Sequence, residues 1–370
     1  MEASSPTKSN ILDTIKLDKA LRLAKQKSKD GQLQEAKNIC TDILQKFPKN
    51  KQALTVIQTL VEAYNSIANA QMKKGASEAA IESYKQAISI KPDYAEAYYN
   101  IAILLEKNGN PDAAIESYKQ VLKIIPNYAG AYNNIGNTQK GMGDFEAAIS
   151  SYNMAVLIKP NYAEAYYNLG LAQHDKGDLK AAIGSYKDAL KIKPEYAEAY
   201  NNMGNAQKGE GDLDAAIGYY KQALKIKPDY ANAYYNMGNA LRDKGELEAA
   251  IDSYKQALKI KPNYFEAYSN MGVALNDNGL VEAAIDCHQR VLKIKPNHAE
   301  AHFNMGIAFL DKGDRETAME CYKRAIEIQP NYGDAHINKA FLYLGLLDFE
   351  AGWPSFEWRW KVSKDVPQFL

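Results

Sequence analysis

Few side chains in this 370-residue sequence are spaced for chemistry, and each group can be weighed in turn. His298 and His302 stand four apart and would share a helix face, with His336 one period later. Ring nitrogens so placed could hold a divalent metal. The spacing is not the His-Glu-x-x-His of metalloproteases, however. His288, His298, His302 and His336 all stand where other copies of the same pattern carry Tyr. One flat amphipathic ring replacing another is the simpler reading, and no metal is expected. Cys40, Cys287 and Cys321 are far apart and form no Cys-x-x-Cys pair, so they imply no disulfide framework. There is no phosphate-binding loop and no Ser elbow. The glycines of Lys208-Gly209-Glu210-Gly211 read as helix ends. The sequence therefore predicts no catalytic residue, no metal and no cofactor.

One polar series remains. Asn100, Asn134, Asn168, Asn202, Asn236, Asn270, Asn304 and Asn338 recur every 34 residues. Asn prefers caps and turns to helix interiors, so its repetition inside a helical pattern calls for a reason. Its amide offers one acceptor and two donor hydrogens, which match the C=O and N–H of an extended backbone. Helices packed about 10 Å apart against an extended peptide rising about 3.3 Å per residue would give one Asn per three peptide residues. Bonding to a neighbouring helix, or simple inheritance by duplication, would also account for the series.

These residues must be positioned by a repeating element, and its period is visible in the prolines. Pro92, Pro126, Pro160, Pro194, Pro228, Pro262, Pro296 and Pro330 are each 34 residues apart. In the unit starting at Ala163, an amphipathic helix A is predicted over about Ala163–Lys176. A Gly-Asp turn and helix B over about Leu179–Ile192 follow, and Lys-Pro closes the unit. Counting from the start of helix A, the asparagines hold position 6, roughly 130° from the packing stripe at positions 4, 7 and 11. Small residues at positions 8 and 20 allow close approach of A to B, and Tyr at positions 4 and 24 fills the adjoining space. Positions 5, 9, 12 and 13 would flank the asparagines with Tyr, Asn, Lys and Asp.

Tyr166, Gly170, Ala182, Tyr186, Ala189 and Pro194 stand at positions 4, 8, 20, 24, 27 and 32, and in this the unit resembles the tetratricopeptide repeat. The resemblance implies an all-α fold, a right-handed α-α superhelix of stacked antiparallel helix pairs. In such a fold the A helices line the concave face, where the asparagines would form a column. That column is similar to the asparagine ladder of O-linked N-acetylglucosamine transferases, which holds polypeptides by their backbone. The segment Asp348–Trp360, DFEAGWPSFEWRW, resembles the junction between such repeats and a glycosyltransferase domain in bacterial proteins.

The resulting division is a disordered leader over 1–16 and a divergent first repeat with an extra helical segment over 17–60. Eight in-phase repeats over 61–332 and an atypical, Trp-bearing cap over 333–370 complete it. Residues Lys51–Leu60 interrupt the period and read as the first turns of one extended helix, about Lys51–Lys74, or as a short separate helix. Lys plus Arg equals Asp plus Glu, 45 each, so no net field draws nucleic acid or anionic membrane. No apolar run is long enough to span a bilayer, and a cytoplasmic setting is expected. The expected function is a non-enzymatic scaffold that binds polypeptide segments of other proteins at the eight asparagines. The alternative is the substrate-recognition part of a glycosyltransferase, and self-association through exposed ends is a third possibility.

Overall fold

The computed structural model describes residues 10–362, and every regular element among them is helical. The chain divides into two compact units, one ending at Lys176 and one beginning at Gly177. In the first, a short 3-10 helix (Ile11–Asp13) precedes α1 (Leu17–Lys29), α2 (Leu33–Lys46), α3 (Lys51–Lys73), α4 (Ser77–Ile90), α5 (Ala95–Lys107), α6 (Pro111–Ile124), α7 (Ala129–Gly141), α8 (Phe145–Ile158) and α9 (Ala163–Lys176). The second holds α10 (Leu179–Ile192), α11 (Ala197–Gly209), α12 (Leu213–Ile226), α13 (Ala231–Asp243), α14 (Leu247–Ile260), α15 (Phe265–Asp277), α16 (Val281–Ile294), α17 (Ala299–Asp311), α18 (Arg315–Ile328), α19 (Gly333–Gly345), α20 (Phe349–Phe356) and α21 (Arg359–Val362). The two helices read from the sequence at Ala163–Lys176 and Leu179–Ile192 have those bounds. Residues Lys51–Lys73 form one continuous helix, so the ten extra residues lengthen α3.

Local chemistry sets the helix ends. Asp144, Asp178, Asp212, Asp314 and Asp348 each accept a bond from the backbone N–H three residues on, at 3.0–3.1 Å. An N-cap of this kind contributes roughly 1 kcal/mol. The B helices of the regular repeats stop just before Lys-Pro or its equivalent, because a residue preceding proline is pushed out of the helical region. The lysine then lies over the Tyr three residues later, with Lys193 Nζ 4.2 Å from the Tyr196 ring and Lys261 Nζ 4.0 Å from Tyr264. Contacts of this kind are worth about 0.5–1 kcal/mol each at exposed sites.

The core is strung along each unit rather than gathered at one centre. Position 20 is a fully buried Ala, and the position-24 tyrosines Tyr84, Tyr118, Tyr152, Tyr186, Tyr220, Tyr254 and Tyr322 are fully buried beside it. The small residue at position 8 makes room for that ring. A Cβ added to Gly204 would lie 2.6 Å from Tyr220 Cε1, and one added to Gly136 2.7 Å from Tyr152 Cε1.

One sequence expectation changes at the N-terminal side. Residues 10–16, expected as part of a leader, pack against α1–α3. Asn10 donates to the Asp42 carbonyl (3.0 Å) and the Ile11 N–H to the Asp42 carboxylate (2.9 Å). Ile11, Leu12 and Ile15 add their apolar surface to the cluster of α1–α3. The reading of residues 1–9 as leader lies outside the described residues, as does that of 363–370 as cap. In the last repeat Pro354 sits inside α20, which ends at Phe356 and is far shorter than the other B helices. Gly352 replaces the usual position-20 Ala because a Cβ there would meet Leu344 Cδ2 at 2.6 Å. Of the three tryptophans, Trp358 stacks on His336 at 4.1 Å, while Trp353 and Trp360 are more than half exposed.

Candidate functional site

Successive A helices touch one another, α7 with α9 in the first unit and α11, α13, α15 and α17 in series in the second. No two successive B helices come as close. The A helices therefore line the inner side of each unit. All eight position-6 asparagines lie on them half-buried: Asn100, Asn134 and Asn168 in the first unit, and Asn202, Asn236, Asn270, Asn304 and Asn338 in the second.

The asparagines tie repeat to repeat. Asn134 donates to the hydroxyls of Tyr99 (2.9 Å) and Tyr118 (3.2 Å), and Asn168 donates to Asn133 Oδ1 (3.1 Å). Asn236 donates to Asn201 Oδ1 (3.0 Å), and Asn270 to the Tyr235 hydroxyl (3.1 Å) and Asn239 Oδ1 (2.8 Å). At these four junctions position 6 donates to position 5 of the preceding repeat. Neighbour bonding, one of the readings open from the sequence, is thus part of their work. It turns the NH2 group toward the stack and leaves the carbonyl oxygens of Asn168, Asn236 and Asn270 unsealed.

The flanking positions are also corrected. At position 5, Asn133 and Asn201 are turned into the stack, 1 % and 4 % exposed, while Tyr99, Tyr167 and Tyr235 stay partly exposed. At one end of the A helices a second set of rungs joins position 12 to position 13 of the following repeat. Lys140 meets Asp175 at 3.9 Å, Lys208 meets Asp243 at 2.9 Å, and Asn276 donates to Asp311 at 2.6 Å. Lys140 and Lys208 are thereby paired with carboxylates of the next repeat.

Beneath the column, the hydroxyls of Tyr84, Tyr152, Tyr220 and Tyr254 donate to Asn69, Asn137, Asn205 and Asn239 at 2.6–2.8 Å. These are position-24 to position-9 bonds inside single repeats. Burial raises the Tyr152, Tyr220 and Tyr254 hydroxyls far above the ordinary value, so they remain donors at any physiological pH. This bond, unlike bonding to a neighbouring helix, was not among the readings of the sequence. The co-occurrence of Asn at position 9 with Tyr fifteen residues later was the available signal.

The residues considered for metal or redox chemistry have structural roles. His298 Nδ1 accepts from the Ala301 N–H at 3.1 Å and caps α17. His302 and His336 each place Nε2 by a proline carbonyl, 3.4 Å from Pro296 and 2.9 Å from Pro330. Among the described residues no group of His, Cys, Asp and Glu is arranged to hold a metal. Burial pushes the Cys40 and Cys321 thiols up to about 11 and Cys287 to about 12, which leaves them protonated and unreactive. No described helix is long and apolar enough to cross a membrane.

Stacked antiparallel helix pairs, with side-chain bonds joining neighbouring repeats within each unit, define an α-α superhelical repeat scaffold. The chain belongs to the tetratricopeptide repeat family. A family model described as TPR repeat matches residues 69–109, 142–177, 173–211, 209–241, 238–279 and 274–313, and one described as Tetratricopeptide repeat matches 95–128 and 299–332. Repeats of this family serve protein–protein interaction and are generally non-catalytic. No curated protein is matched. Among solved structures, YrrB, described as a TPR protein with an unusual peptide-binding site, is 26 % identical over 51 % of this chain and 97 % of its own, with a TM-score of 0.45. MamA is 29 % identical over 46 % of this chain and 94 % of its own (TM-score 0.43). The pilF protein of Pseudomonas aeruginosa is 19 % identical over 55 % and 92 % (TM-score 0.48).

Proposed function

We propose that the chain is a scaffold that captures extended polypeptide segments of other proteins, with the asparagine column as the backbone-binding element. The observation that carries this is the geometry of the amides. Inter-repeat bonds orient Asn168, Asn236 and Asn270 by their NH2 groups, and their carbonyl oxygens accept no bond in the stack. Pre-oriented acceptors of this kind suit the N–H groups of an extended chain and read none of its side chains. Replacing Asn168, Asn202, Asn236 and Asn270 by Ala is expected to lower capture of unfolded polypeptide in a pull-down, with far-UV circular dichroism preserved. Full capture by that variant would remove the proposal.

A second reading rests on Asp348–Trp360 and its resemblance to a repeat–glycosyltransferase junction. In that reading the repeats present substrate to a catalytic domain encoded beyond Leu370. Sequencing the reading frame downstream decides it.

A further inference from the structure

The junction of α17 and α19, like the others with Gly at position 13, lacks the polar rung, and it holds a slot. A cavity of about 300 Å³ is lined by Leu310, Arg315, Asn338, Phe341, Leu342 and Gly345. Leu310 and Gly345 hold positions 12 and 13, where Lys208 and Asp243, or Asn276 and Asp311, bond across other junctions. Gly345 has nothing within 4 Å of where its Cβ would stand.

At one other junction a leucine fills this space, whereas Gly141, also at position 13, has nothing within 4 Å of its Cβ position. Gly209 also holds position 13, and a Cβ there would lie 2.6 Å from Leu179 Cδ1, the position-17 residue of the preceding repeat. Position 17 is likewise Leu at 213 and 247 and Val at 281. At the slot, position 17 is Arg315, an exposed residue. A guanidinium is strongly hydrated and cannot take the place of a core leucine, so the space above Gly345 stays open. The neighbouring Asp314 does not neutralise it, since its carboxylate is held by the Thr317 N–H (3.0 Å) and hydroxyl (2.7 Å).

We propose that this slot is the side-chain anchor of the peptide-binding face and takes a leucine-sized aliphatic side chain from the bound segment. Arg315 pairs with a carboxylate on the residue beside it. The inference deepens the asparagine-column reading and rests on it, since Asn338, the last member of the column, forms one wall. The volume lies at the small end of ligand pockets and suits one side chain rather than a cofactor. Apolar walls with an arginine at the rim call for an apolar-then-acidic pair.

The test uses fluorescence anisotropy with a labelled, flexible Gly/Ser peptide carrying one Leu-Asp pair, compared with its Ala-Asp and Leu-Asn counterparts. The wild-type chain is expected to bind Leu-Asp about tenfold more tightly than Ala-Asp, as burial of an aliphatic side chain implies. Arg315→Gln should abolish the preference for Asp over Asn and keep that for Leu over Ala. Arg315→Leu, which restores the filling residue, should remove both without loss of helicity. Equal binding of the three peptides, or no binding, overturns the anchor. Weakening of all three by the four-Asn variant in the first of those cases would leave the column standing. Leu preference unaffected by that variant would instead retain the slot and remove the column. Concentration-dependent sedimentation of the protein alone that Arg315→Leu abolishes would assign the slot to a second copy and overturn the proposal.

Discussion

His288 takes the position-24 site that Tyr holds in the neighbouring repeats, with its ring 1 % exposed against Gly272. Burial lowers its pKa from 6.5 to about 4. The neutral ring is the form that fits, and the unfolded chain takes up the proton first. Its contribution to stability is therefore complete above pH 6.5 and is lost as pH falls from there through about 4, an effect of about 3 kcal/mol. His288→Tyr should remove most of this acid sensitivity, read from urea unfolding at pH 7 and pH 4.5. Leu347 is a second exception. It holds φ +60° at the A–B turn where the repeat before it has Gly313 (φ +89°), and it is 75 % exposed. A Cβ in the left-handed region costs about 1–2 kcal/mol. Leu347→Gly should thus stabilise the last repeat, measured as a slower hydrogen exchange of α19. Helix glycines divide by environment in the same way. Gly218→Ala, with open space at its Cβ, should stabilise α12 by roughly 1 kcal/mol. Gly204→Ala should destabilise by about 1–3 kcal/mol because Tyr220 must shift. A thermal melt of the two variants would separate the signs.

At the scale of the element, the inner face is a set of cross-bonded rungs. The 5–6 rungs are half-buried and neutral, whereas the 12–13 rungs are partly exposed ion pairs such as Lys208–Asp243, about a third exposed on each side. Pairs of this kind contribute about 0–1 kcal/mol and weaken with salt. Asp243→Asn should consequently change stability by less than about 1 kcal/mol, and raising the salt concentration should shrink the difference further. Asn201→Ala should cost more, because it leaves the Asn236 NH2 group without its partner at a half-buried site. Equilibrium unfolding of both variants at low and high salt checks the order.

Among the described residues the buried side chains form separate clusters that run from repeat to repeat within each unit. Stability in such an array is a sum of local and nearest-neighbour terms, so cooperativity over the full length is not expected. The three tryptophans all lie in the last repeat, at 353, 358 and 360. Trp fluorescence therefore reports that end alone, while far-UV circular dichroism reports every helix. The fluorescence transition in urea is expected at lower denaturant than the dichroism transition, given the short, proline-interrupted α20. Coincident transitions would instead show one cooperative unit.

The sequence alone determined what depends on local rules and on period. A 34-residue recurrence of Pro, Ala, Gly and Tyr set the helices, their turns and the small-against-large packing of A on B, because each of these is settled within one unit. The asparagine register was legible for the same reason. The destination of each amide was not. Whether Asn168 bonds Asn133, or whether position 5 is open or buried, depends on how the next repeat's A helix lies alongside, and spacing within one repeat carries no such information. The slot above Gly345 belongs to this second class. Leu310, Arg315 and Gly345 are unremarkable singly, and only the stacking of α19 against α17 and α18 places an unfilled leucine site beside an arginine.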